Sequence, residues 1–148
     1  MTTQSEIQVR WLDPIQYPLA NKFIRQHGFR GRVRSNDQCM VMRNQTEGII
    51  ALAFLRPMQQ SLLLTAVAVA PDYQGQGLVK QLLGAMCFAF TEQTYTFSLN
   101  DLTSLYQQHG FSVVEEAKLP EDVSSRLRAY RDQGRLITPM IYEGSSST

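Results

Sequence analysis

Residues 67–79 read VAVAPDYQGQGLV, and this stretch indicates the architecture of the whole chain. An almost unbroken apolar run over residues 61–70 leads into it, as expected of a strand that is covered on both faces. After the two glycines, apolar residues recur at helical spacing: Leu78, Leu82, Met86 and Phe90. The stretch therefore predicts a buried strand that passes through a glycine turn directly into an amphipathic helix.

The turn between this strand and this helix has the chemistry of an anion site. The first amides of a helix have no internal partner, the helix dipole favours negative charge there, and glycine lets the backbone approach a ligand closely. Phosphate is the usual ligand of such a junction. Two nucleotide-binding motifs are excluded, because the third glycine of a dinucleotide fingerprint is missing and Lys80 is followed by Gln81 instead of serine or threonine.

Periodicity and turn residues predict the remaining elements. Strands are predicted over residues 6–12, 39–43, 48–55, 61–70, 95–99, 111–116 and 136–142. The predicted helices are 13–28 with a loose turn before Pro18, a helix from residue 78, a helix capped by Asn100 or Asp101 and ended by Gly110, and 120–132. Pro139 restricts the last strand to a sheet edge or a bulge.

The order of these elements predicts the fold class. Three successive strands in the middle of the chain imply antiparallel hairpins, and the strand–helix–strand units after them imply parallel pairing. We therefore expect an α/β fold with a mixed sheet of six to seven strands and helices on both faces. We expect one domain over residues 1–148, with its core at 6–142 and a flexible tail at 143–148.

Composition excludes several classes of protein. The 148 residues carry 14 Lys and Arg against 13 Asp and Glu, and a net charge of +1 argues against a general nucleic-acid binder. The apolar stretches are too short to span a bilayer, and residues 1–6 show no export signal, so a cytoplasmic location is expected. Cys39 and Cys87 lie in apolar surroundings and are too few for a zinc site, so no metal is expected.

The charge is unevenly distributed. Residues 1–70 hold eight Lys and Arg against four acids, whereas residues 71–148 hold six against nine. Much of the excess lies in one short segment, with Lys22, Arg25, Arg30, Arg32 and Arg34 all preceding the next acid.

Two segments together resemble the GNAT superfamily of N-acetyltransferases. The family pattern is a V-x-V strand, a short turn and Q/R-x-x-G-x-G/A at the start of a helix, and residues 67–79 match it except that Val79 stands at the last Gly/Ala position. Downstream, residues 105–111 read LYQQHGF and resemble the family's F-Y-x-x-x-G-F. The resemblance covers residues 6–142, and it departs from the family at the helix over 120–132, where a shorter loop is common.

The resemblance implies a site for acetyl-CoA. Backbone groups of Val67 and Val69 would bind the pantetheine arm, and the Val69 amide would stabilise the oxyanion. The pyrophosphate would be held by a run of amides: those of Gln74, Gly75, Gln76, Gly77, Leu78 and Val79. Asn100 stands six residues before the motif tyrosine, where the family often has asparagine at seven, and is either a cofactor contact or a plain helix cap.

The resemblance also implies a reaction. Tyr106 would protonate the leaving thiolate, and the alternative is that it only packs, since it shares a face with Leu102 and Leu105. An amine would attack the thioester directly, without a covalent enzyme intermediate. The central strand has no carboxylate, so no general base is assigned. Arg30, Arg32 and Arg34 would bind an acidic acceptor; the alternatives are a solvated loop, contacts to the CoA phosphates, or contacts to a neighbouring subunit.

Two functions follow from this interpretation. The first is an acetyl-CoA-dependent N-acetyltransferase acting on the primary amine of a small metabolite or a protein, with no nucleic-acid or membrane partner and with a homodimer left open. The second is a non-catalytic acyl-CoA-binding regulator that keeps the fold.

Overall fold

A computed structural model describes residues 7–144, except for the side chain of Ala66. Its strands and longer helices are, in chain order, β1 (Gln8–Trp11), α1 (Tyr17–Gln26), β2 (Gln38–Asn44), β3 (Gly48–Pro57), β4 (Leu62–Val69), α2 (Leu78–Met86), β5 (Thr94–Leu99), α3 (Thr103–Gln107), β6 (Phe111–Val113), α4 (Glu121–Asp132) and β7 (Ile137–Tyr142). Within the described residues, the strands are hydrogen-bonded in the order β1-β2-β3-β4-β5-β7-β6. The mixed α/β fold with a sheet of six to seven strands is thus confirmed.

The chain divides into two compact units. The first contains the residues up to Leu55 together with Ala66–Met86, and the second contains Arg56–Thr65 together with the residues from Cys87 onward. Strand β4 therefore begins in the second unit and continues into the first.

The first unit is built on the antiparallel strands β1, β2 and β3. Helix α1 buries Phe23 and Ile24 in a core with Val41 and Leu52. Along β2 the alternate side chains, such as that of Met42, are buried on the opposite face, and α2 packs against β1 and β2. Both faces of this sheet are covered, which suits the apolar run over residues 39–42 in the middle of β2.

The second unit combines parallel and antiparallel pairing. Strands β4 and β5 are parallel over three register pairs, from Leu62↔Thr94 to Leu64↔Thr96, although β4 itself continues to residue 69 and β5 to residue 99. Strand β7 pairs antiparallel with both β5 and β6. Helix α4 buries Val123 and Leu127 against one face of this unit, and α3 packs against β5 and β6.

Two strand predictions are corrected by the structure. Strand β6 is only three residues long and is followed by a short 3-10 helix, Glu116–Lys118. Strand β7 lies between β5 and β6, so Pro139 is not on an edge strand. Proline is tolerated there because the β6 pairs end at Met140, and on that side Pro139 contributes only its carbonyl, which accepts from the Val114 amide (3.1 Å).

The start of α1 follows from its local sequence. Asp13 Oδ1 accepts from the Ile15 amide (3.1 Å) and starts a 3-10 turn, Pro14–Gln16, before the regular helix. Pro18 lies in the first turn of α1, as predicted. In contrast, neither Asn100 nor Asp101 caps α3, because both lie in a preceding 3-10 helix, Asn100–Leu102.

The single-domain organisation stays a prediction. Glu6 and residues 145–148, which belong to the predicted first strand and the predicted tail, lie outside the described residues. Within the predicted tail, Glu143 is held: its amide donates to the Gly110 carbonyl and its carboxylate accepts from the Ser112 hydroxyl, both at 2.8 Å.

Candidate functional site

The glycine loop, residues 74–77, joins the 3-10 helix Pro71–Tyr73 to α2. Gly75 and Gly77 have φ values of +82° and +78°, a backbone region that residues with a side chain rarely adopt. A Cβ built at either glycine meets no atom within 4 Å. The course of the loop thus depends on the positive φ values of its two glycines, and the space beside their Cα atoms is open.

The start of α2 presents a row of unpaired backbone donors. The first hydrogen bond of the helix runs from the Gln81 amide to the Gly77 carbonyl (3.2 Å). Among the residues that the structure describes, none accepts a hydrogen bond from the amides of residues 75–79. Of the flanking side chains, Leu78 is buried and Val79 is half-buried. Five of the six predicted pyrophosphate-binding amides, those of residues 75–79, are therefore brought together with the helix dipole behind them. The sixth, the Gln74 amide, donates to the Pro71 carbonyl (3.4 Å).

The end of β4 lies directly before this loop. The Ala70 amide donates to the Ile50 carbonyl (2.8 Å) and so points toward β3. Because backbone groups alternate along a strand, those of Val69, and two residues earlier those of Val67, point to the opposite edge. The Val69 carbonyl already accepts a hydrogen bond there from Gln74 Nε2 (3.1 Å). The two predicted pantetheine contacts thus lie on the side of β4 that faces away from β3, beyond the last register pair that the structure describes between β4 and β5. The Val69 carbonyl is occupied there by a side chain of the loop.

Tyr106 lies in the second unit, on α3. Its side chain is 4% exposed and its ring meets Phe111 edge to face, with centroids 5.8 Å apart. The phenol is hydrogen-bonded to Thr96, and the Thr96 hydroxyl donates to the Leu64 carbonyl (3.0 Å). Leu64 and Thr96 form the final register pair of the parallel ladder, so the Tyr106 hydroxyl lies where the β4–β5 pairing ends.

Burial determines the protonation state of Tyr106. It raises the pKa of the phenol to about 12, and the hydrogen bond with Thr96 offsets only part of this effect. The side chain is therefore a neutral proton donor throughout the neutral and mildly alkaline range. Packing and proton donation, which the sequence presented as alternatives, are both compatible with this position.

Asn100 is hydrogen-bonded to two residues around the start of β7. Its Oδ1 accepts from the Thr138 hydroxyl (2.7 Å), and its amide donates to the Leu136 carbonyl (3.2 Å). The residue is exposed at the end of β5 and fastens that strand to β7. It neither caps α3 nor is aligned with the amides of the glycine loop by any described contact.

The arginine loop, residues 29–34, is held at one point. The Val33 side chain is buried, and Asn21 of α1 accepts from the Val33 amide (2.7 Å) and donates to the Val33 carbonyl (3.1 Å). The side chains of the three predicted acceptor-binding residues are exposed: Arg30, Arg32 and Arg34. Arg25 and Arg32 line a cavity of about 540 Å³ between α1 and this loop.

Sequence reasoning missed Thr96, although a signal was present. Thr94, Thr96 and Ser98 alternate along β5, and all three are buried. Buried hydroxyls need partners, and these have them: the Thr94 hydroxyl accepts from the Thr91 amide (2.8 Å), and the Ser98 hydroxyl is hydrogen-bonded to Thr103 (3.0 Å). Alternation of small hydroxyl residues in an otherwise apolar strand indicates a face that holds polar groups of a neighbouring element.

The described part of the chain offers neither a cluster of metal ligands nor a membrane-spanning helix. No group of three or more metal-ligating side chains occurs in the described part of the chain. No helix formed by residues 7–144 is long and apolar enough to cross a membrane.

Comparison with known proteins identifies relatives in fold. The N-acetylglutamate synthase of Neisseria gonorrhoeae, complexed with coenzyme A and N-acetyl-glutamate, matches with a TM-score of 0.64 at 18% identity, covering 95% of this chain and 35% of the synthase. This chain thus spans about a third of the length of that neighbour. An Escherichia coli enzyme, named as the alanine N-acetyltransferase of a ribosomal protein, matches with a TM-score of 0.60 at 16% identity, covering 97% and 99% of the two chains.

A third neighbour is similar over its whole length. The Arabidopsis thaliana protein NAA60, in complex with a bisubstrate analogue, gives a TM-score of 0.59 at 14% identity and covers 95% of this chain and 100% of its own. A search of curated protein sequences gives no significant match. The model of the acetyltransferase (GNAT) domain matches residues 35–113, which is more than half of the chain and includes both the glycine loop and Tyr106. The chain therefore belongs to the GNAT acetyltransferase family.

Proposed function

We propose that this protein is an acetyl-CoA-dependent N-acetyltransferase that moves an acetyl group to a primary amine. The observation that carries the proposal is the glycine loop. Its amides at residues 75–79 have no acceptor among the described residues, and the loop comes directly after the part of β4 that extends beyond the described pairs with β5. A pyrophosphate suits these donors, and an extended arm with amide groups suits the edge of a strand. Membership of the acetyltransferase family supports the same ligand.

The proposed cofactor contacts are those of the first unit. The amides of residues 75–79 hold the pyrophosphate, joined by the Gln74 amide where it leaves the Pro71 carbonyl (3.4 Å), and the backbone of Val67 and Val69 binds the pantetheine arm. Since the Val69 carbonyl accepts from Gln74 Nε2 (3.1 Å), an arm that donates to this carbonyl takes the place of the Gln74 side chain. Asn100 has no described role toward the cofactor, and its proposed contact is the least supported of the set.

The proposed chemistry is direct transfer. The amine nitrogen attacks the thioester carbonyl, a C–N bond forms, and the Val69 amide stabilises the oxyanion. The C–S bond then breaks, its electrons go to sulfur, and Tyr106 donates to that sulfur. The proton lost by the amine passes to water, water returns a proton to Tyr106, and the products are an amide and a free thiol. No carboxylate on β4 takes part, because the strand reads LLLTAVAV.

The proposed acceptor site is the arginine loop with its cavity. Guanidinium groups pair with carboxylates through two parallel hydrogen bonds, and Arg25 and Arg32 both line the cavity beside α1. An amine that also carries a carboxylate fits this chemistry. The acceptors named for the structural neighbours, glutamate as its N-acetyl product and a protein alanine, are reasonable first members of a test panel.

Replacing Arg30, Arg32 and Arg34 together by glutamine tests the acceptor role. We expect the KM for a carboxylate-bearing amine to rise about tenfold, because the loss of one charge-assisted contact corresponds to that factor. The Kd for CoA, measured by calorimetry, should stay unchanged. Equal losses of acceptor and CoA affinity would instead assign these arginines to the CoA phosphates.

The alternative function is a non-catalytic acyl-CoA-binding regulator. The absence of a carboxylate from β4 and the branched Val79 at a position where the family has Gly or Ala favour it. A homodimer and a cytoplasmic location stay predictions for either function.

Release of free thiol from acetyl-CoA separates the two functions. The panel should contain amino acids, polyamines and peptides with a free N-terminus, and CoA binding should be measured in parallel. Turnover of at least one amine above the uncatalysed rate supports the enzyme. Binding of CoA with no turnover across the panel would support the regulator.

A further inference from the structure

The side chain that precedes the glycine loop belongs to a closed hydrogen-bond network. Tyr73 ends the 3-10 helix before the loop, and its hydroxyl donates to Glu47 Oε2 (2.5 Å) while accepting from Asn44 Nδ2 (2.6 Å). Asn44 Oδ1 in turn accepts from the Glu47 amide (2.6 Å). The phenol thereby ties the loop to the turn between β2 and β3, which is 26 or more residues away in sequence.

The turn is a firm anchor. Asn44 is buried at the end of β2 and pairs in register with Gly48, which opens β3. The Tyr73 ring packs against the core of the first unit. On its other side, the Tyr73 amide donates to the Ala70 carbonyl (2.9 Å), directly after β4. Tyr73 is therefore fixed at its backbone, its ring and its hydroxyl.

The loop that follows has far less support of its own. Gly75 and Gly77 have no side chains, and the amides of residues 75–79 have no acceptor within the described residues. The side-chain ties of the loop are Gln74 Nε2 to the Val69 carbonyl (3.1 Å) and a long contact from Gln76 Nε2 to the Asp72 carbonyl (3.4 Å). Its backbone ties are the Gln74 amide to the Pro71 carbonyl (3.4 Å) and, at the other end, the Gly77 carbonyl, which accepts from Gln81. A loop held so weakly loses conformational entropy when it binds a ligand, and fixing its first residue beforehand reduces that loss.

We propose that Tyr73, with Asn44 and Glu47, is a positioning network that holds the glycine loop in the conformation that binds acyl-CoA. This inference rests on the proposed function and adds residues outside the glycine motif to its cofactor site. Tyr73 acts through the loop backbone and touches no reacting atom, so it affects the affinity for the cofactor and leaves the rate of the chemical step unchanged.

The protonation of Tyr73 suits this role. The hydrogen bond to Glu47 raises the pKa of the phenol, so the hydroxyl stays a donor over the pH range of an activity assay. The network also shares residues with a cleft of about 370 Å³ beside α1, which is lined by Glu47, Tyr73 and Ile49 among others. Solvent thus reaches one side of the network. The position of the Tyr73 side chain therefore depends on its hydrogen bonds to Asn44 and Glu47 and not on burial alone.

Three variants of the full chain test the proposal. Tyr73→Phe keeps the ring and removes the hydroxyl, and Glu47→Ala removes the acceptor; we expect each to raise the Kd for CoA about tenfold, as the loss of a hydrogen bond to a charged group would. Glu47→Gln keeps an acceptor oxygen and should bind CoA nearly as the unmodified protein does. At saturating acetyl-CoA, kcat should be unchanged in all three.

Tyr17→Phe is the matched control. It removes a phenol hydrogen bond of similar length in the same unit, from Tyr17 to the Asp37 carbonyl (2.6 Å), at a distance in sequence from the loop. It should leave the Kd for CoA unchanged even if Tm falls. If Tyr73→Phe binds CoA as well as the unmodified protein does, or loses no more affinity than Tyr17→Phe, the positioning role is wrong while the proposed function stands. If the unmodified protein binds no CoA, both are overturned.

Discussion

Replacing Tyr106 by phenylalanine is expected to lower kcat about a hundredfold, with little change in the KM for acetyl-CoA. The ring and its edge-to-face contact with Phe111 remain in this variant, and only the hydroxyl that we propose as the donor to the leaving sulfur is lost. A positioned proton donor contributes roughly 10²–10⁴ in rate, and the lower end applies because a phenol with a pKa near 12 is a weak acid toward a thiolate. Steady-state kinetics of thiol release provide the measurement.

Tyr95→Phe is the control for this prediction. Tyr95 is also a buried tyrosine of the second unit, but it belongs to the core beneath α4 and not to the contact with Thr96. Its variant should retain kcat. A Tyr106→Phe protein with full activity would show that Tyr106 only packs, and another donor to sulfur would then be needed.

The raised pKa of Tyr106 also predicts how stability depends on pH. The neutral phenol is favoured in the folded state, because its pKa rises from 10 to about 12 on burial. The resulting contribution is complete below pH 10 and is lost as the pH rises from 10 to 12. It amounts to about 3 kcal/mol, since each pKa unit corresponds to roughly 1.4 kcal/mol. Denaturant unfolding across this window should show a smaller alkaline loss for Tyr106→Phe than for the unmodified protein.

The second large effect is expected from the glycine loop. Replacing Gly75 and Gly77 together by alanine should raise the Kd for CoA about a hundredfold. Each alanine is strained at a φ near +80°, which costs roughly 1–2 kcal/mol per residue; relaxation of that strain turns the loop amides away from the ligand. Each methyl group also enters the open space in front of the loop, where the phosphate is proposed to bind. Calorimetric titration with CoA measures the change.

Gly28→Ala separates strain from ligand contact. Gly28 ends α1 at a φ of +72°, and a Cβ built there also meets no atom within 4 Å. Its alanine variant carries the same kind of backbone strain at a place with no proposed ligand, so it should lower stability and preserve CoA affinity. If the double variant binds CoA no worse than Gly28→Ala does, the amides of residues 75–79 are not the phosphate site.

Local features of the molecule were predictable because they depend on neighbours in sequence. The glycine turn before α2, the loose first turn before α1 and the helix over residues 121–132 each follow from residues a few positions apart. Strand order was predictable in part, since short connections favour hairpins and a helical crossover favours parallel strands. The position of β7 between β5 and β6 was not predictable, because the connections before and after β6 do not restrict which strands β7 pairs with.

The sequence by itself determined the candidates for the chemistry of this protein: a glycine loop, a motif tyrosine and a cluster of arginines. The tertiary structure alone decided how the polar atoms around them are occupied. The Tyr106 phenol is hydrogen-bonded to Thr96, Asn100 accepts from the Thr138 hydroxyl, and the β2–β3 turn holds Tyr73. Each of these contacts joins residues that are distant along the chain or lie on different elements, and hydrogen bonds of this kind leave no periodicity in the sequence. The fold places the partners, and in the case of Tyr106 and Thr96 burial makes the hydrogen bond costly to lose.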